Sequence, residues 1–257
     1  MLFCDSSLKS DSFVKIFLGD AVGQQPYLVA RSILEDSAEY FRKALQHAPS
    51  FGAGELDVLR FPEDDTGAWE VLLYWMLKGS LTALKSLQEC CYGDNLYRRG
   101  LLVHCWCLGD KYGMDAFQNE IMVHLILVFE DQCIPPAALR DAFENTAPGS
   151  RLRKICMEEL VLSFNQGGTG SEELELFDGI VGFISEFSTT MQDESLKHSV
   201  FRTLCRRKHQ PGEACHKARD AWKTYMVGDS PAVHRLEAVI NKHYAENDRS
   251  RCYRSPL

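Results

Sequence analysis

Three short β-type segments occupy the first 61 residues of this chain, and none follows them. Val14-Lys15-Ile16-Phe17-Leu18-Gly19 is rich in β-formers and stops on a glycine. Gln25 to Val29 comes next, after the turn-like Gly19-Asp20-Ala21-Val22-Gly23, so the pair predicts a hairpin. Asp57-Val58-Leu59-Arg60-Phe61 supplies a third strand before Pro62, and from there apolar residues recur at helical spacing. Strands gathered at one end and helices thereafter exclude an alternating βαβ enzyme fold. They predict an α+β N-terminal domain followed by an all-α C-terminal extension.

Between the second and third strands, Ile33-Leu34 and Tyr40-Phe41-Ala44-Leu45 predict two short helices, with Ser32 or Asp36/Ser37 available as caps. The clearest amphipathic stripe is Trp69, Leu72, Leu73, Met76 and Leu77, preceded by Asp64, Asp65 and Thr66 and ended by Lys78-Gly79-Ser80. Carboxylates there serve the free N–H groups and the dipole of a helix start. Leu101, Leu102, Cys105, Leu108 and Tyr112 form another stripe, ended by Gly113. Phe117, Ile121, Leu125 and Val128 form the next, ended by Pro135-Pro136. Further stripes run through Leu139-Ala142-Phe143, Leu152-Ile155-Cys156, Leu174-Phe177-Ile180-Val181-Ile184-Phe187, Leu196-Val200-Leu204 and Val233-Leu236-Ile240.

With 257 residues, 45% of them hydrophobic and 25% charged, the chain can bury a core without disulfide or metal staples. Its ten cysteines lie mostly in apolar helical patterns such as His104-Cys105-Trp106-Cys107, where a free thiol packs as a small hydrophobe. The N-terminus meets Asp5 too early for a signal peptide, and the longest apolar run, Ile121 to Phe129, is too short to span a bilayer. The expectation is an intracellular protein, cytoplasmic or nuclear, with reduced cysteines. The net charge of -8 is uneven. Residues 197–254 carry thirteen Lys/Arg against six Asp/Glu, a surplus of seven, which leaves -15 for the remainder.

The order of these elements, and the residues within them, resemble the BTB/POZ domain in the version found in many filamentous fungi. The residues that carry the resemblance are Val14 to Gly19, then Tyr27-Leu28-Val29-Ala30-Arg31-Ser32-Ile33-Leu34-Glu35-Asp36-Ser37-Ala38-Glu39-Tyr40-Phe41, then Phe61-Pro62-Glu63-Asp64-Asp65 feeding Trp69 to Gly79. Leu108-Gly109-Asp110-Lys111-Tyr112-Gly113-Met114 with Phe117-Gln118-Asn119, and Phe143 to Arg153, are similar to the helices that follow in such proteins. Two departures are plain: Leu77 stands where the family usually has Tyr, and Ala30-Arg31 stand where it has His.

The resemblance implies a BTB/POZ-like domain over residues 11–130 with a helical extension packed on it over 131–165; beyond that, composition and spacing alone suggest a Gly-rich connector over 166–171, a basic helical region over 172–248 and a disordered tail over 249–257. The resemblance also implies a non-catalytic interaction module, an adaptor or scaffold for other proteins that needs no cofactor. Self-association through the BTB surface is open, but only about thirteen residues precede Val14, which argues against the strand-swapped homodimer. Phe61 and Glu63 supply a hydrophobic-x-Glu pattern like that of cullin-binding ubiquitin-ligase adaptors. The candidate partner surface comprises Phe61, Glu63, Trp69, Tyr74 and Trp75 around the aromatic helix, and Phe17, Tyr27 and Phe41 on the strand–helix face.

Other chemistry is thinner. Cys205, His209, Cys215 and His216 have the donor types of a tetrahedral zinc site, but their spacing matches no zinc-finger pattern. No nucleophile elbow, P-loop or dinucleotide fingerprint occurs. The alternative to an adaptor is a regulator touching nucleic acid through Arg202, Arg206, Arg207, Lys208, Lys217 and Arg219, with Trp222 and Tyr225 to stack on bases.

Overall fold

The computed structural model describes residues 12–19, 25–47, 57–84, 96–129, 135–165, 171–193 and 221–252. Strand β1 (Phe13–Leu18) lies at the centre of a three-stranded sheet. It pairs antiparallel with β2 (Tyr27–Ala30) and parallel with β3 (Asp57–Phe61). Side chains alternate across a strand. Val14, Ile16 and Leu18 therefore enter the core together with Val29 and Phe61, and their β-branched or long apolar side chains cover one face of the sheet.

Helices α1 (Arg31–Ser37) and α2 (Glu39–His47) connect β2 to β3 and bury Leu34, Phe41 and Leu45. The Arg31 position is held structurally. Its guanidinium pairs with Glu35 and Asp57, each at 2.7 Å, and donates to the Leu45 carbonyl at 3.2 Å. One side chain thus ties both short helices to the start of β3.

Helix α3 (Thr66–Lys78) begins on Asp65, whose carboxylate accepts the Ala68 N–H at 2.7 Å. It ends on Gly79, which takes a left-handed φ of 69° and donates its N–H to the Trp75 carbonyl at 2.7 Å. Trp69, Leu72 and Leu73 are buried as their spacing requires, and Val71 joins them. Leu77 departs from the stripe: in the last turn of α3 it is 62% exposed.

Helices α4 (Leu96–Tyr112) and α5 (Asp115–Phe129) form a tight pair. Gly109 makes their approach possible, since a Cβ there would lie 2.8 Å from Gln118 Cγ and 3.2 Å from a Phe117 ring carbon. Helix α6 (Pro136–Asn145) starts with proline in its first turn. Helix α7 (Arg151–Asn165) follows, and its Arg153 is buried. That guanidinium donates to the Phe143 and Thr146 carbonyls at the end of α6, lies over the Phe143 ring at 4.6 Å, and pairs with Glu186 at 3.2 Å.

The apolar stripe predicted over 174–187 is two pieces instead of one. α8 (Ser171–Leu174) runs into a 3₁₀ turn at Glu175–Phe177, and α9 (Phe183–Met191) starts afresh. Gly179 and Gly182 between them have φ of 75° and 85°, a conformation no continuous helix contains. The break turns Val181 (90% exposed) and Ile184 (72%) away from the core. A 3₁₀ turn at Ala221–Tyr225 then leads to α10 (Pro231–Cys252), which carries regular structure into residues 249–252 where the sequence suggests a tail. Of the connector over 166–171, Ser171 opens α8 and residues 166–170 lie outside the described residues, as does the stripe over 196–204.

Trp222, Tyr225, Met226, Leu236 and Ile240 belong to the same buried cluster as Val14 and Ile16, so the C-terminal helix is part of one core. Asn119 on α5 anchors it. Fully buried, Asn119 accepts the Val227 N–H at 2.6 Å and donates to the Val227 carbonyl at 2.7 Å and to Ser230 Oγ at 3.2 Å. Asn119→Ala strands the Val227 N–H in the interior, and the expected loss is about 1–3 kcal/mol. Hydrogen exchange should then quicken over residues 226–240 before it quickens in the sheet.

Candidate functional site

The candidate partner residues divide sharply by burial. Phe41 and Trp69 are fully buried and Phe61 nearly so. They form an aromatic cluster with Tyr112, in which Phe61 and Trp69 ring centroids are 4.6 Å apart and Phe41 and Tyr112 are 5.2 Å apart. No partner reaches them without unfolding. Phe17, Tyr27, Tyr74 and Trp75 are half-buried, and Glu63 is exposed. Tyr27 is tied down by its hydroxyl, which donates to Glu70 at 2.9 Å, and Trp75 packs against Phe117 at 5.4 Å between centroids. The sequence candidates that keep exposed surface therefore reduce to Glu63, parts of Tyr74 and Trp75, and the sheet residues Phe17 and Tyr27, which register places on opposite faces of the sheet.

The segment that carries Glu63 is held from beneath by Asp64. Its carboxylate accepts from Trp69 Nε1 at 2.8 Å, from Lys111 Nζ at 2.7 Å, and from the Tyr112 hydroxyl. Burial and the Asp64 carboxylate both raise the Tyr112 pKa, so the phenol stays a donor. The β3–α3 turn is consequently clamped to the far end of α4. Asp64→Ala leaves the Trp69 and Tyr112 donors without their acceptor, and a loss of about 2–5 kcal/mol is expected in urea unfolding.

The next residue organises a second polar cluster, one the sequence does not show. His104 on α4 places Nε2 2.9 Å from Asp141 of α6 and Nδ1 3.6 Å from Asp65, the α3 cap. The Asp65 carboxylate facing Nδ1 is the largest cause lifting the His104 pKa, which reaches about 9 with help from Asp141 and against the opposing effect of burial. The same pairing lowers the Asp65 pKa. Both ring nitrogens face carboxylates, so the imidazolium acts as an ionic bridge among three helices and has no nitrogen left to abstract a proton. Cys105 and Trp106 keep the core packing that the His104-Cys105-Trp106-Cys107 pattern suggests, and His104 alone takes an ionic role.

The two interior thiols Cys107 and Cys156 are unsuited to nucleophilic chemistry. Burial pushes the Cys107 thiol up to about 12, and the Cys156 thiol also rises, so neither is a thiolate near neutral pH. Burial raises Glu159 to about 8. Among the described residues, no group of three or more His, Cys, Asp or Glu is placed to hold a metal ion, and no helix is long and apolar enough to cross a membrane. The zinc candidates Cys205, His209, Cys215 and His216, and the cations Arg202, Arg206, Arg207, Lys208, Lys217 and Arg219, lie outside the described residues. Trp222 and Tyr225 are inside them and are buried, with the Tyr225 hydroxyl donating to Glu158, so neither offers a face for a nucleobase.

No family model, curated protein or solved structure matches the chain.

The His104 bridge gives stability a defined pH dependence. A histidine whose folded pKa is raised from 6.5 to about 9 contributes fully below 6.5, and the contribution disappears as pH climbs through 9. Glu159 acts in the same sense at slightly lower pH, from its ordinary 4.5 to about 8. The difference between wild type and His104→Gln isolates the bridge. Urea midpoints should separate most below pH 6.5 and converge by pH 9 to 10; a constant separation would show that His104 is not the charged member.

Proposed function

We propose that this chain is a non-catalytic protein–protein interaction module, an adaptor or scaffold with a BTB/POZ-like N-terminal domain, which brings a partner to a cullin-type ubiquitin ligase. The observation that supports the reading best is the topology: a sheet of order β2-β1-β3, a helical pair between β2 and β3, and an aromatic helix directly after β3. Those are the elements, in the order, on which the resemblance rests. The geometry at the β3–α3 turn adds to it. Phe61 is sunk in the aromatic cluster while Glu63 projects into solvent from a turn fixed by Asp64. A pre-set turn loses little conformational freedom when a partner docks on it. In this reading Glu63, Tyr74 and Trp75 make the contact, and Phe61 and Trp69 shape the surface from below.

Nothing in the described region favours the nucleic-acid alternative, because both of its aromatic residues are interior.

Affinity capture with mass spectrometry tests the proposal. Wild-type chain should recover cullin and ubiquitin-ligase subunits, and Glu63→Arg should lose them at unchanged melting temperature, since the side chain is exposed. Recovery of chromatin or RNA-binding proteins in their place, insensitive to Glu63→Arg, would overturn it.

A further inference from the structure

Among the described residues no element packs on the outer face of the sheet, and its composition is unusual for a solvent face. Register places the outward residues in rows: Phe13 beside Ala30, Lys15 between Leu28 and Val58, and Phe17 beside Arg60. Phe13 is 50% exposed and Leu28 59%. Phe17 and Val58 are half-buried without belonging to the core. Antiparallel hairpins usually put polar residues on the open face, and a contiguous apolar sheet surface invites association unless something covers it.

Two cations are set among these apolar side chains. The Arg60 guanidinium lies 4.3 Å from the Phe17 ring centroid, which fixes it over the face. Lys15 stands at the centre of its row. Neither has a carboxylate partner among the described residues, although Arg31, one position beyond β2, pairs with two. In a chain of net charge -8, this surface carries two positive charges and no carboxylate partner for either among the described residues.

We propose that this face docks an acidic peptide segment of another protein, in which Asp or Glu side chains are interleaved with large apolar ones. The apolar groups cover Phe13, Leu28, Val58 and Phe17, and the carboxylates meet Lys15 and Arg60. A second copy of this chain fits less well, because pairing like faces brings the two cations against their own equivalents. An anionic membrane fits less well too, since two cations must then overcome the repulsion of an acidic body. The proposal rests on the interaction-module reading and adds a second surface, separate from the Glu63 turn.

The test uses the full chain with a fluorescein-labelled peptide of repeated Glu-Phe-Glu-Leu and a Lys-Phe-Lys-Leu counterpart, read by fluorescence anisotropy. The acidic peptide should bind wild type at least about tenfold more tightly than the basic one, and binding should weaken with salt. K15E/R60E and, separately, Leu28→Asp should each cost about tenfold or more at unchanged melting temperature. Equal binding by wild type and both variants, or none by any, would overturn the proposal. So would a concentration-dependent dimer dissolved by Leu28→Asp, or co-sedimentation with phosphatidylserine vesicles abolished by K15E/R60E. Loss of cullin capture in Glu63→Arg alongside unaffected peptide binding separates the two surfaces. Failure of cullin capture by wild type counts against the module reading and leaves the peptide result to stand by itself.

Discussion

One carboxylate holds the N-terminal half together. Asp64 sits where β3 gives way to α3, and its side chain is 95% shielded from solvent; the cost of placing an ion there is met by three donors from two helices. Because Trp69 and Tyr112 are also members of the aromatic cluster, the ion pair fixes both the turn and the hydrophobic packing around it. A displaced Asp64 would shift Asp65, and with it the α3 cap and the anion on one side of His104. Sheet, aromatic helix and α4–α5 pair are in this sense positioned by a single side chain.

The C-terminal helix is joined to that frame by the same kind of interaction. Glu120, next to Asn119 on α5, accepts the Leu81 N–H at 3.1 Å beyond α3 and pairs with Arg235 of α10. Polar residues at positions that look like interior helix surface therefore specify which helix docks where, while the apolar stripes supply most of the burial. A purely apolar seam at the same place would tolerate sliding of α10 along α5; two adjacent directional groups do not.

Much of the architecture was legible because it depends on local chemistry. β1 and β2 follow from short β-forming runs separated by glycines, α3 from a carboxylate cap, a regular stripe and a glycine stop, and α4–α5 from stripes divided by Gly113. What was not legible depends on residues far apart in sequence. Parallel pairing of β1 with β3 leaves no local mark. His104 meets Asp65 and Asp141 only once three helices have packed, so the sequence shows an apolar Cys-Trp-Cys neighbourhood and hides the ionic bridge. The candidate site was half legible. Large aromatics at helical spacing were rightly located near the β3–α3 turn, yet spacing alone does not tell Trp69, which is interior, from Trp75, which keeps an edge at the surface. Nor does it reveal that Phe13 and Leu28 share an open face, since that follows from strand register.

The Asn119 anchor also bears on how the chain is made. Its partner Val227 is 108 residues further along. At roughly 5–20 residues per second of synthesis, α5 is complete some 5–20 s before Val227 exists. During that interval the amide of Asn119, interior in the finished protein, must remain wetted or be sheltered by something else. The nascent chain thus emerges with a polar notch in its newest helix, and closing that notch marks the arrival of the C-terminal segment.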